Sequence, residues 1–316
     1  MLYITDAYKL VSTYSLILLI ITVLAIGFGI LYVLYLKPKM QFESSEIEVI
    51  EPITRKKSWI GIAAYFGCFY IIAIIIQTII VTVYLLSTGQ TELVEESSDY
   101  LTILNLCNFA TYIVTAVALI PIVFKEIKVD YAQYKTEKKF YLSWWGKGIL
   151  IMYALIFLTN ILSNIFSMGL DTDGISENQA IIDKIMNSGV GNMLLMGLVT
   201  VILAPIIEEI VFRKCLFGIF KKNTMLTVII STFIFAGIHV IPACITILGN
   251  MVQNQATVID LYLEFICIFG YLGQAFAISF VYYKSKQNII PCILIHFTNN
   301  FIAFLATILL QFLPMA

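Results

Sequence analysis

Two histidines occur in this chain of 316 residues, His239 and His296, and each lies inside an apolar stretch long enough to cross a membrane. A third such stretch carries Glu208 and Glu209 side by side. An ionisable side chain at that depth costs roughly 2.5–3.5 kcal/mol on insertion scales, so two imidazoles and two carboxylates there suggest a reaction site. Glu209 and Arg213 stand i, i+4 on one helical face and can pair. Glu208, about 100° further round the helix, is free to face a cavity. Pro205 removes a backbone donor one turn before it. His296 and Asn300 are again i, i+4 and present two polar heads on one face. Blander readings exist for each piece. Carboxylates near a helix end can snorkel, a lone intramembrane histidine is commonly a packing residue, and an Asn–His pair can simply join helices.

The elements that would hold these residues follow from composition. Hydrophobic residues make up 60% of the chain and charged ones 12%, with mean hydropathy +0.93, so hydrocarbon is the solvent for most of the surface. The net charge of −1 and the lack of a basic amphipathic run or Gly-rich phosphate loop exclude a nucleic-acid partner. Apolar stretches recur at about 10–36, 58–86, 100–124, 145–167, 191–212, 224–248, 261–283 and 288–313. The expected fold is therefore all-α: a polytopic membrane protein of eight transmembrane helices bundled around a polar cavity, since only helices satisfy their own backbone in lipid. The first stretch is too long for a signal-peptide core and is expected to be retained. The six cysteines form no CxxC and read as apolar fillers.

Charge alternates between the connections. Segments 37–57, 125–147, 213–222 and 284–286 hold all but two, Lys9 and Lys184, of the 19 Lys and Arg residues. The positive-inside rule then places these connections in the cytoplasm of a multi-pass cell-membrane protein and both termini outside. Residues 175–190 read as a short amphipathic external helix with Ile181, Ile182, Ile185 and Met186 on its apolar side. No matched pair of interrupted helices or chain of polar residues across the first four spans suggests a transporter. Asp260 and Glu264 are expected to be solvated or to face headgroups. A boundary near residue 140 separates an N-terminal membrane region, 1–140, from a catalytic membrane domain, 141–316.

Three motifs in order carry a resemblance: Ala204-Pro205-x-x-Glu208-Glu209-x-x-Phe212-Arg213, Phe235-x-x-x-His239, and Pro291-x-x-x-x-His296-x-x-x-Asn300. Together they resemble the signature of the CAAX-protease and bacteriocin-processing (Abi-type) family of intramembrane proteases, which includes the type II CAAX prenyl endopeptidases. The looser segment Phe269–Lys284 is similar too, and the resemblance covers about 175–305, leaving the first three spans without a counterpart.

The resemblance implies that Glu208 and His239 activate water for attack on a peptide carbonyl. It implies that His296 and Asn300 stabilise the oxyanion, and that Glu209 and Arg213 are structural or assisting. A carboxylate is a better base where water is scarce, and oxyanion donors act strongly there. No cofactor is required on this reading. Glu208, His239 and His296 also form a plausible zinc set, although no HExxH is present and the three lie on separate spans. The expected function is an intramembrane endopeptidase acting on peptides or membrane-tethered proteins in bacterial peptide maturation, leader processing or bacteriocin self-immunity. Its cavity is expected to open towards the cytoplasmic half of the bilayer. The alternative is a non-proteolytic scaffold that regulates or protects a membrane-protein partner docked on residues 1–140.

Overall fold

The computed structural model describes residues 53–95, 97–170, 174–220 and 225–312. The span expected at 10–36 lies outside them. Among the described residues there is no strand, and seven helices are long and apolar enough to cross a membrane. They are α1 (Arg55–Thr88), α2 (Ser98–Thr136), α3 (Lys138–Phe166), α5 (Val190–Phe220), α6 (Met225–Val252), α7 (Val258–Lys284) and α8 (Ile290–Phe312). The short α4 (Glu177–Asn187) corresponds to the amphipathic helix expected at 175–190. Its Ile185 and Met186 are buried, while Ile181 stays 42% exposed.

Local chemistry explains where these helices start. Thr54, Ser97 and Ser176 each accept a hydrogen bond from the backbone N–H three residues on, which satisfies a donor the first turn leaves free. Thr257 and Asp260 form a reciprocal capping box at α7. Asn288 Oδ1 accepts from Ile290 N at 2.9 Å at the start of α8. Gly89 closes α1 at φ 70°, a conformation that disfavours any side chain.

The connection expected over 125–147 is helical. Its Lys, Glu, Gln and Ala residues favour a helix, no Pro or Gly occurs before Gly146, and α2 passes into α3 through the single non-helical residue Glu137. A 39-residue helix is about 58 Å long and outreaches a hydrocarbon core of about 30 Å, so the basic end of α2 projects beyond it. Likewise α5 runs to Phe220, well past the boundary expected at residue 212, and carries Arg213 and Lys214 as buried helical residues.

Close packing of α3 and α7 rests on Gly273. A methyl group there would lie 2.7 Å from Ile156 N and 2.8 Å from Leu155 C, in the backbone of α3. The core is continuous across residue 140: Tyr65, Leu119 and Val123 from α1 and α2 join Ile207, Phe212, Phe235, Ile278 and Ile295 in one buried cluster. Ile71, Ile74, Ile79 and Val83 of α1 are exposed, as suits a helix face turned to lipid. All six cysteines are free, and four are buried.

Candidate active site

α5 departs from regular helix on both sides of its two carboxylates. Leu198–Leu203 and Ile210–Cys215 are π-helical turns, with the short α-helical stretch Ala204–Glu209 between them. Such wide turns are uncommon and tend to mark functional positions. Here the first has a traceable consequence. Ala204 N–H reaches back five residues to Val199 O, so the next residue would donate to Thr200 O. That residue is Pro205, which has no N–H. The Thr200 carbonyl accepts instead from Asn300 Nδ2 on α8, at 2.8 Å. The proline and asparagine of two distant motifs are thus two halves of one contact.

Glu208 and Glu209 are both buried, yet they meet different partners. Glu209 Oε1 contacts His296 Nδ1 at 2.8 Å, and its Oε2 lies 3.0 Å from Arg213 Nε, close enough for ion pairing though not aligned as a hydrogen bond. Arg213 is wholly buried, donates to Ser231 Oγ at 3.3 Å and sits 5.1 Å from the centre of the Phe235 ring. Because arginine is always charged, Glu209 serves as its counter-ion and accepts the Nδ1 proton of His296. His296 Nε2 is therefore the nitrogen turned to Glu208. It is an acceptor in the neutral ring and a donor once the ring takes a second proton.

Glu208 Oε2 is the point of convergence. His296 Nε2 lies 3.9 Å away and His239 Nε2 4.0 Å away. Both gaps exceed a hydrogen bond, and each matches the span bridged by one water with two contacts of about 2.8 Å. Tyr112 on α2 donates to the other oxygen, Oε1, at 3.3 Å. His239 stacks on Tyr271 of α7, with ring centres 4.6 Å apart and planes 9° apart. The Tyr271 hydroxyl in turn bonds to Ser176 Oγ at 2.8 Å and accepts from Asn178 at 3.3 Å, which links the histidine to the start of α4.

These groups line a cavity of about 580 Å³. Glu208, His239, His296 and Asn300 all border it, so the four residues marked in sequence meet at one place. Glu209 and Arg213 lie behind its wall. Tyr112 and Tyr271 were not marked. A clue to Tyr112 was available: Asn105, Asn108, Thr111, Tyr112 and Thr115 recur at helical spacing, so α2 does carry a polar edge, contrary to the expectation for the first four spans. Glu264 departs from expectation as well. It is 5% exposed and accepts from Glu177 N at 3.0 Å, fastening α4 to α7. The cavity also runs away from the basic helix ends, not towards them. Its lining continues along α5 to Thr200 and Met196 and along α8 to Thr307, and includes Gln179 and Met186 of α4.

The donor set does not fit zinc as it stands. Ligands at about 2.0–2.2 Å from a tetrahedral ion sit about 3.3–3.6 Å apart, closer than the separations of 3.9 and 4.0 Å at Glu208. Among the described residues, no three His, Cys, Asp or Glu are arranged to hold a metal ion.

Residues 190–302 match the family model described as type II CAAX prenyl endopeptidase, Rce1-like. The match spans α5 to most of α8 and contains every residue of the three motifs, consistent with assignment to the CAAX-protease family. It supports a CAAX-type intramembrane protease in general. No curated protein and no solved structure matches the chain.

Proposed function

We propose that the protein is an intramembrane endopeptidase in which Glu208 activates a water molecule. The observation that carries this reading is the approach of two imidazole nitrogens to one carboxylate oxygen, at 3.9 and 4.0 Å, inside a cavity within the membrane span. A water held between Glu208 Oε2 and His239 Nε2 attacks the peptide carbonyl carbon and yields one proton to Glu208, which relays it through a bridging water to His296 Nε2, 3.9 Å away. Protonated there, His296 becomes a donor to the oxyanion, and the carboxylate of Glu209 balances its charge. Asn300 gives one amide hydrogen to Thr200 O, which leaves the second for the same oxyanion. Breaking the carbon–nitrogen bond returns the proton to the leaving amine. The physiological setting we propose is peptide maturation, leader removal or bacteriocin self-immunity.

Comparative peptidomics of cells carrying the wild-type protein or Glu208→Gln tests the reading. A precursor should accumulate in the variant, and identical peptide profiles from equally abundant proteins would refute it. We further propose that no metal is required. Activity of the purified protein should survive thorough chelation, whereas a loss restored by zinc alone would overturn that part.

A further inference from the structure

We propose that this site is entered from the non-cytoplasmic side, beneath α4, and that its substrate is an extracytoplasmic peptide segment with an apolar stretch and no acidic residue next to the scissile bond. The inference rests on the protease reading for the word substrate, but the direction of entry stands on separate observations. Lys and Arg gather at one set of helix ends, which the positive-inside rule assigns to the cytoplasm. Relative to those ends, α1, α2, α5, α6 and α8 contribute to the cavity from its catalytic level outward. Tyr65, Tyr112, Glu208, Phe235 and His296 are the lining residues nearest the basic end on α1, α2, α5, α6 and α8. From there the lining runs away from that end, to Gln77 on α1 and Thr307 on α8.

The basic side is closed. Behind Glu208 lie the buried Arg213 with Ser231, then Lys214, whose Nζ is 2.6 Å from the buried Asp130 and 3.2 Å from Gln287 O. Phe217 and Tyr282 pack edge to face there, both almost fully buried. A peptide arriving from the cytoplasm would have to dismantle this plug. On the opposite side, among the described residues, it meets α4, held by Ser176, Asn178 and Glu177 to two side chains of α7.

The lining also selects chemistry. Among the described residues that border the cavity, Glu208 is the single carboxylate and there is no Lys or Arg. An acidic side chain would be desolvated beside a carboxylate without a counter-ion of its own. Ile182, Ile185, Met186 and Met196 offer an apolar wall at the α4 end, suited to aliphatic side chains.

Cysteine accessibility in whole cells tests the direction without needing a known substrate. In full-length protein with the two half-buried native thiols replaced (Cys244→Ala and Cys267→Ala), a membrane-impermeant maleimide should label Gln179→Cys and Thr307→Cys in intact cells. Lys139→Cys, at the basic end, should react only after permeabilisation. The opposite pattern overturns the proposal whether or not the protein is a protease. In the peptidomics comparison, Glu208-dependent cleavage should fall in extracytoplasmic segments lacking acidic residues at the cut. Cuts confined to cytoplasmic segments would overturn the inference and leave the protease reading standing. Outside labelling with no Glu208-dependent product would do the reverse.

Discussion

Glu208 and Glu209 are joined by one peptide bond and occupy opposite electrostatic situations. Glu209 has a histidine on one oxygen and an arginine on the other, and lies behind the cavity wall. Glu208 has one long hydrogen bond from Tyr112 and two imidazoles just beyond hydrogen-bond range. The same division extends through the molecule. Towards the basic helix ends, charge is paired: Asp130 accepts from Lys214 and from Ile289 N, while its backbone carbonyl accepts from Asn288. On the other side, polar groups border open space. Paired charges rigidify a fold, whereas polar groups that border open space are available to a substrate.

The sharpest way to break this comparison is to neutralise each glutamate in turn. Glu208→Gln should reduce cleavage by about 10²–10⁴-fold, the usual worth of a general base, with thermal stability in detergent nearly unchanged. Glu209→Gln should lower both activity and stability, because Arg213 is then buried without its counter-ion. Equal loss of stability in the two variants would mean that both carboxylates are structural, and the contrast would collapse.

Next in size is the plug at the basic helix ends. Lys214→Ala leaves Asp130 buried without its cation, a change that costs about 3–5 kcal/mol for a buried pair. A large fall in the unfolding midpoint is expected, with turnover per folded molecule retained. Unchanged stability would show that the pair is not desolvated as its burial implies.

How much of this was visible in the residues differs between the two sides. The four cavity residues were legible because histidine and glutamate are rare and costly within apolar helices, and Asn300 stands one turn from His296 on the same face. The helical bundle followed from hydropathy, and the match over 190–302 agrees with the motif order. The plug was hidden for the opposite reason. Asp130 sits in a segment rich in lysine and reads as one more solvated charge, and Lys214 reads as part of a basic loop. Only the extension of α2 and α5 beyond their apolar stretches brings the two together. The depth of Glu208 differs for the same cause: a boundary set at residue 212 places Glu208 near a helix end, whereas α5 continues to Phe220.

A subtler test lies at the seam between the two sides. Pro205→Ala restores the N–H that Thr200 O otherwise takes from Asn300. The amide of Asn300 should then lose its anchor, and kcat should fall by about 10-fold or more with KM little altered, as for a misplaced transition-state donor. In an Asn300→Ala background the same change should add almost nothing. Additive losses would show that the proline acts through helix shape instead.

The smallest effect belongs to Tyr112, which donates to Glu208 from the region before residue 140. At 3.3 Å its hydrogen bond is long, so Tyr112→Phe should cost about 0.5–1.5 kcal/mol, or about 2- to 12-fold in turnover. The ring is kept, and with it the edge-to-face contact with Phe69, whose ring centre is 5.0 Å away. Removing the hydroxyl alone therefore separates its action on the carboxylate from packing. If Tyr112→Phe changes kcat while the unfolding midpoint holds, α2 belongs to the reactive side of the molecule as well as to its frame. If the midpoint falls and kcat per folded molecule does not, the open side ends at α5 and the first helices serve only to wall it.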